Sequence, residues 1–167
     1  MFKIKIMSDA SFGAFPVHCS FIYLNDCLIH VNVARNKATS LSDTDQVTSS
    51  MHSELSGIFD GTKLGVHVYN ILKPYSKVDT PIVHLNDSKS AIFNADGFVN
   101  NKRTLHLAVK YRYVTELIHK KFMVLNYESG KLLLPDIGTK ALPAGPFQII
   151  AVKMLDFGDQ QSFRQLF

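Results

Sequence analysis

Residues 3–33, KIKIMSDASFGAFPVHCSFIYLNDCLIHVNV, contain three segments with the pattern of β-strands. Residues 3–8 alternate apolar and polar side chains, and two runs rich in β-branched and aromatic residues, 17–24 and 28–33, flank a turn centred on Asn25. Such runs, joined by a two-residue loop, predict a strand followed by an antiparallel hairpin. The chain therefore begins with three strands.

The hairpin register also separates the two cysteines. With the loop at residues 25–26, Cys27 pairs with Leu24, and Cys19 pairs with Asn32. Because side chains alternate along a strand, Cys19 and Cys27 then point to opposite sides of the sheet and do not form a disulfide. Free thiols are typical of reducing compartments, so we expect an intracellular location, cytoplasmic and/or nuclear.

Helices alternate with short strands in the rest of the chain. Apolar residues at helical spacing predict a long helix over residues 46–72, which Lys73-Pro74 ends. Strands are predicted at residues 81–85 and 122–127, and helices at residues 88–94, 104–121 and 135–142. This order indicates an α/β fold with a five-stranded mixed sheet and helices on both faces. We assign residues 1–143 to one domain and residues 144–167 to a C-terminal tail or packing segment.

The composition restricts the class of protein and of partner. A chain of 167 residues with 46% hydrophobic side chains is large and apolar enough to form the hydrophobic core of one domain. No apolar run reaches the roughly 18 residues that a membrane span needs, so we expect no membrane partner. The net charge of +4 permits a polyanionic partner.

Three glycines recur at every fourth position of the long helix: Gly57, Gly61 and Gly65. They indicate either a weak helix, since each glycine costs up to ~1 kcal/mol relative to alanine, or a smooth face that lets the backbone approach a sheet. On a helical wheel, Glu54 shares this glycine face.

Four acids lie at strand ends and helix starts. Asp9 ends the first strand, Glu54 lies early in the long helix, Asp87 ends the fourth strand and Asp136 opens the last helix. Two-metal phosphoryl chemistry requires several converging carboxylates, because hard Mg²⁺ ions prefer carboxylate oxygens. For any one of these acids alone, a helix cap or a turn is the more common role.

The segments around these acids resemble motifs of a known family. They are SDASFG (residues 8–13), SSMHSE (49–54), DSKSAI (87–92) and PDIGTKAL (135–142). In the same order, they are similar to motifs in the ribonuclease H domain of copia-type retrotransposon polyproteins (Pseudoviridae), and closest to the yeast members. The resemblance extends from about residue 7 to residue 143 and implies a ribonuclease H-like fold.

The resemblance also implies a function. Asp9, Glu54, Asp87 and Asp136 would be catalytic and would bind two Mg²⁺ ions, with Mn²⁺ as a substitute. The implied activity is endonucleolytic cleavage of the RNA strand in an RNA–DNA hybrid. We expect a reverse transcriptase domain or a host protein as a further partner.

Basic residues cluster in the second half of the chain and are candidates for nucleic-acid binding. Lysine and arginine side chains in a row can follow a phosphate backbone, although the same row can be a solvated helix face. The candidates are Lys102, Arg103, His106, Lys110, Arg112 and, in the last motif, Lys140.

Several positions depart from the family pattern and support an alternative function. Residues 103–106 read RTLH where the family commonly has R-T-K-H, and the chain contains no tryptophan. His52 replaces an acidic residue, Pro135 replaces an alanine, and Gly138 weakens the last helix. The alternative is a catalytically decayed ribonuclease H-like domain that acts as a nucleic-acid or protein-binding module.

Overall fold

A computed structural model describes residues 1–12, 16–35, 50–96, 108–130 and 133–155. Five strands and five helices lie within these ranges. In chain order they are β1 (Ile4–Ala10), β2 (Val17–Leu24), β3 (Cys27–Arg35), α1 (Ser50–Leu72), β4 (Ile82–Asn86), α2 (Lys89–Asp96), α3 (Ala108–His119), β5 (Met123–Tyr127), α4 (Asp136–Thr139) and α5 (Ala144–Leu155).

The strands form one mixed sheet in the order β3-β2-β1-β4-β5, which confirms the predicted five-stranded sheet. β2 pairs antiparallel with both β1 and β3, whereas β4 pairs parallel with both β1 and β5. Because β1 and β4 run parallel, their carboxyl ends lie at the same edge of the sheet. Asp9 and Asp87 are therefore brought to one edge.

The β2–β3 hairpin turns at Asn25 and Asp26, whose φ values of 50° and 65° fit a type I′ turn. Beyond the turn, the two strands shift register by one residue at a β-bulge. Cys19 consequently pairs with Val33, and the predicted pairing with Asn32 is wrong. The prediction that both cysteines are free is confirmed.

The helices follow the predicted order, with differences at their ends. Residues 46–49 and 104–107, where two of the predicted helices begin, lie outside the described residues. The helix predicted over residues 135–142 is only the four-residue α4, because Lys140 adopts an extended conformation. The segment 144–167, predicted as a tail or packing segment, begins with α5.

Two apolar layers lie on the two faces of the sheet, so helices cover both faces as predicted. On one face, α1, α2 and α3 enclose a core that includes Ile6, Leu55 and Val114. On the other face, Phe21 and its neighbours pack against side chains of α4 and α5, among them Ile150. No helix in the described part of the chain is both long and apolar enough to cross a membrane.

Helix α1 lies close against the sheet along its glycine face. A Cβ atom at Gly61 would come within 2.9 Å of Ser20 Oγ and 3.3 Å of Ile6 Cγ2. One at Gly57 would lie 3.6 Å from the backbone oxygen of Asp9. The interpretation that the glycines permit a close approach is confirmed, and this approach brings the first turns of α1 to the end of β1.

We predict that Gly61→Val lowers the free energy of unfolding by about 2–3 kcal/mol, because the new side chain overpacks the layer between α1 and the sheet. The matched control is Gly145→Val in α5, where an added Cβ meets nothing within 4 Å. Its effect should stay within about 0.5 kcal/mol. Urea unfolding of both variants measures the difference, and equal losses would contradict the close packing of α1.

Candidate active site

Three carboxylates from three elements meet at one edge of the sheet. Asp9 lies near the end of β1, Glu54 in the first turns of α1, and Asp87 directly after β4. One carboxylate oxygen from each lies within 4.8 Å of the other two. The side chains of Asp9 and Glu54 are buried and that of Asp87 is half-buried. Three of the four predicted acids are thus brought together.

Glu54 is held by hydrogen bonds from neighbouring elements. Its Oε2 accepts a 3.1 Å hydrogen bond from Asn86 Nδ2, and the Ala10 backbone donates another. Burial raises the pKa of Glu54 to about 8, and the charges of Asp9 and Asp87 act in the same direction. The two hydrogen bonds oppose this shift. At neutral pH the Glu54 carboxyl of the metal-free fold therefore holds a proton.

Asp9 is the most deeply buried of the three acids, with 1% of its surface exposed. Its Oδ2 accepts a hydrogen bond from Thr139 Oγ1 at the end of α4. Burial raises the pKa of Asp9, and the charges of Asp136 and Asp87 add to this, whereas the bond from Thr139 and the charge of Lys140 lower it. The pKa of Asp87 is raised too, first by burial and then by Asp136. All three carboxyls therefore share a cost of burial and crowding.

Asp136 lies beside this cluster and outside the group of three. Its Oδ1 is 2.9 Å from Lys140 Nζ, which is also 3.7 Å from Asp9 Oδ2. Burial lowers the pKa of Lys140, but the hydrogen bond to Asp136 and the nearby carboxylates outweigh it, so that the pKa is raised. Asp136 is thus linked to the cluster through the ammonium group of Lys140, an exposed residue at the end of α4.

The predicted nucleic-acid contacts are only partly described. Lys110 Nζ donates a 3.1 Å hydrogen bond to Ser56 Oγ and lies 5.7 Å from the centre of the Phe59 ring, so it is directed towards α1. Arg112 is exposed and lies near Glu116 on another side of α3. Lys110 and Arg112 therefore do not form one stripe. Of the remaining candidates, Lys140 lies beside Asp9 and Asp136, and three lie outside the described residues: Lys102, Arg103 and His106.

Two residues of the site were missed by reasoning from the sequence: Asn86 and Thr139. Each has a recognisable position, since Asn86 directly precedes Asp87 and Thr139 directly precedes Lys140. Neither position shows by itself which distant carboxylate the side chain contacts. Their partners become visible only in the folded chain.

No protein-family model matches the chain. Among solved structures, it is similar to LC11-RNase H1 in complex with an RNA/DNA hybrid, at 12% identity and a TM-score of 0.51, over 78% of this chain and 88% of that one. This chain has a ribonuclease H fold. At such low identity, the similarity concerns the fold alone.

Two other solved structures are similar to the chain at lower scores. One is the N-terminal RNase H domain of a Mycobacterium tuberculosis protein, fused to maltose-binding protein, at 14% identity and a TM-score of 0.49, over 90% of this chain and 97% of that one. The other is prototype foamy virus protease–reverse transcriptase, at 14% identity and a TM-score of 0.47, over 77% of this chain and 17% of that one.

The cluster within the ribonuclease H fold has a donor set that suits a hard divalent cation. Its three ligand atoms are carboxylate oxygens, which Mg²⁺ prefers. Burial, and then the charges of neighbouring carboxylates, raise the pKa values of these carboxyls. A bound dication would offset both effects. The residues present therefore fit Mg²⁺ or Mn²⁺.

The proton on Glu54 leads to a prediction of pH-dependent stability. With a pKa of about 8 in the fold and about 4.3 when unfolded, Glu54 carries more protons in the folded chain between these values. Stability must therefore fall as pH rises through this range. Between pH 6.5 and 8, the titration of Glu54 alone should lower the free energy of unfolding of the metal-free protein by about 1.6 kcal/mol. His84, whose pKa burial lowers to about 3, acts in the opposite direction and offsets about 0.4 kcal/mol of this loss, because an unfolded histidine is half-protonated at pH 6.5. Burial lowers the pKa of His18 as well, with an effect of the same sign.

Urea unfolding in EDTA at pH 6.5 and pH 8 measures this loss. Glu54→Gln should remove most of it, because the amide does not titrate. Glu116→Gln is the matched control, since Glu116 is exposed on α3 and paired with Lys120, and it should keep the parent's pH dependence. An undiminished pH dependence in Glu54→Gln would show that Glu54 is not the group that holds the proton.

Proposed function

We propose that the chain is a divalent-metal-dependent endonuclease that cleaves the RNA strand of RNA–DNA hybrids. The observation that carries the proposal is the group of three carboxylates within 4.8 Å at the edge where β1 and β4 end. The fold supports it, because the similar LC11-RNase H1 was solved in complex with an RNA/DNA hybrid. The four motifs around the acids further lead us to propose a copia-type retrotransposon origin.

Asp9, Glu54 and Asp87 would hold the metal ions, with Asp136 contributing from beside the cluster. Two Mg²⁺ ions, when bound, supply an activated water and neutralise the charge of the scissile phosphate. Glu54 must release its proton to become a ligand, so affinity for the metal should rise with pH up to about 8. Lys140 Nζ would compete with a bound metal ion for the carboxylates of Asp136 and Asp9.

Basic side chains would hold the nucleic acid by its phosphates, independently of sequence. We propose this role for Lys102, Arg103, His106, Lys110, Arg112 and Lys140. A reverse transcriptase domain and a host protein remain proposed partners.

A second function is favoured by the position of Lys140. Its ammonium group already neutralises part of the charge of Asp9 and Asp136 without a metal. A decayed ribonuclease H-like domain could use such a neutralised cluster for stability alone and act as a nucleic-acid or protein-binding module.

Cleavage of a labelled RNA–DNA hybrid separates the two functions. We expect cleavage that requires Mg²⁺ or Mn²⁺ and falls at least about 100-fold in Asp9→Asn and in Asp87→Asn, because each change removes a metal ligand. Asp26→Asn is the control, since Asp26 is exposed in the β2–β3 turn and paired with Lys5; it should cleave like the parent. A hybrid that the protein binds but leaves uncut would support the binding module.

A further inference from the structure

Asn86 is the last residue of β4, and its side chain has no exposed surface. Its Nδ2 donates hydrogen bonds of 2.9 Å to the backbone oxygen of Ser8 and 3.1 Å to Glu54 Oε2. Its Oδ1 accepts a 2.9 Å hydrogen bond from the backbone N–H of Ser88. Both donor hydrogens and the acceptor of the amide are therefore used.

One of these bonds reaches Glu54, and the other two reach the backbone of the residues next to Asp9 and Asp87. Ser8 directly precedes Asp9 in β1, and Ser88 directly follows Asp87. The bond to Glu54 reaches the carboxyl group itself. One buried side chain thus connects β1, α1 and the start of α2 at the positions that carry the acids.

A second set of buried contacts holds Ser8, the residue before Asp9, in place. Ser8 Oγ lies 2.8 Å from His84 Nε2, and His84 Nδ1 lies 3.0 Å from Thr62 Oγ1. Ser8, His84 and Thr62 have no exposed surface. Ser8 is consequently held between Asn86 and a polar chain that crosses from the sheet to α1.

We propose that Asn86 is a positioning residue that sets the spacing of Asp9, Glu54 and Asp87 for a divalent cation. This inference rests on the proposed function, because it assumes that the three carboxylates bind a metal. Asn86 acts through the acids, since its own oxygen is occupied by Ser88. Outer partners of metal ligands typically change metal affinity by about 10- to 100-fold when they are removed.

The test is the dissociation constant for Mn²⁺, measured by calorimetry on the full chain. In Asn86→Ala we expect it to rise about 10- to 100-fold. Thr115→Val is the matched control: Thr115 is buried and donates a 2.6 Å hydrogen bond to the Ala95 backbone oxygen. The control also loses a buried bond and should melt at a lower temperature, but its Mn²⁺ affinity should stay within about twofold of the parent.

An unchanged dissociation constant in Asn86→Ala would overturn the inference, and so would an equal rise in Thr115→Val. A parent protein that binds no Mn²⁺ would overturn the proposed function as well, which distinguishes the two failures. If Asn86→Ala does not fold, Asn86→Thr replaces it, because the hydroxyl keeps one donor. In that variant a rise of about threefold or more supports the inference, and a parent-like value overturns it.

Discussion

The close approach of α1 to β1 is the constraint on which the acidic cluster depends. A side chain at Gly57 or Gly61 would meet the backbone of β1 or the side chains beneath the helix. Glu54 lies one turn before Gly57, so the distance between helix and sheet also sets the distance from Glu54 to Asp9. A larger residue at Gly61 would push α1 away from the sheet and would move the Glu54 carboxylate away from Asp9.

Bringing the carboxylates together has an electrostatic cost, which the fold offsets in three ways. Thr139 and Asn86 donate hydrogen bonds to Asp9 and Glu54. Lys140 supplies a positive charge between Asp136 and Asp9. Glu54 keeps a proton up to a pH of about 8. The chain can therefore fold with the carboxylates together in the absence of a metal ion. The repulsion that remains among the ionised carboxylates favours the binding of a dication.

The sequence predicts most of the sheet and much of the site because both depend on local pattern. Period-two alternation places the strands, and parallel strand ends bring Asp9 and Asp87 to one edge. The helical wheel puts Glu54 on the face that meets that edge. These inferences need only spacing along the chain.

Features that depend on contacts between distant segments could not be predicted in this way. The β-bulge that places Cys19 opposite Val33 cannot be recognised from the pattern of apolar and polar residues in β2. The role of Asn86 requires Ser8 and Glu54 to be adjacent in space. Lys110 and Arg112 look like one basic stripe in the sequence. In a helix, however, residues two positions apart are rotated by about 200° relative to each other, so their side chains lie on different sides.

Thermal unfolding with and without Mg²⁺ shows whether the assembled carboxylates form a divalent-cation site. At a hundredfold excess over the dissociation constant, Mg²⁺ should stabilise the parent by about 2.7 kcal/mol, a rise of several degrees. Asp87→Asn should be more stable than the parent in EDTA, because the amide removes a charge that burial and the nearby Asp136 disfavour, and it should gain little from Mg²⁺. If about 10 mM Mg²⁺ or Mn²⁺ leaves the melting temperature of the parent unchanged, the carboxylates do not form such a site, because this concentration is well above the dissociation constants of weak divalent-cation sites.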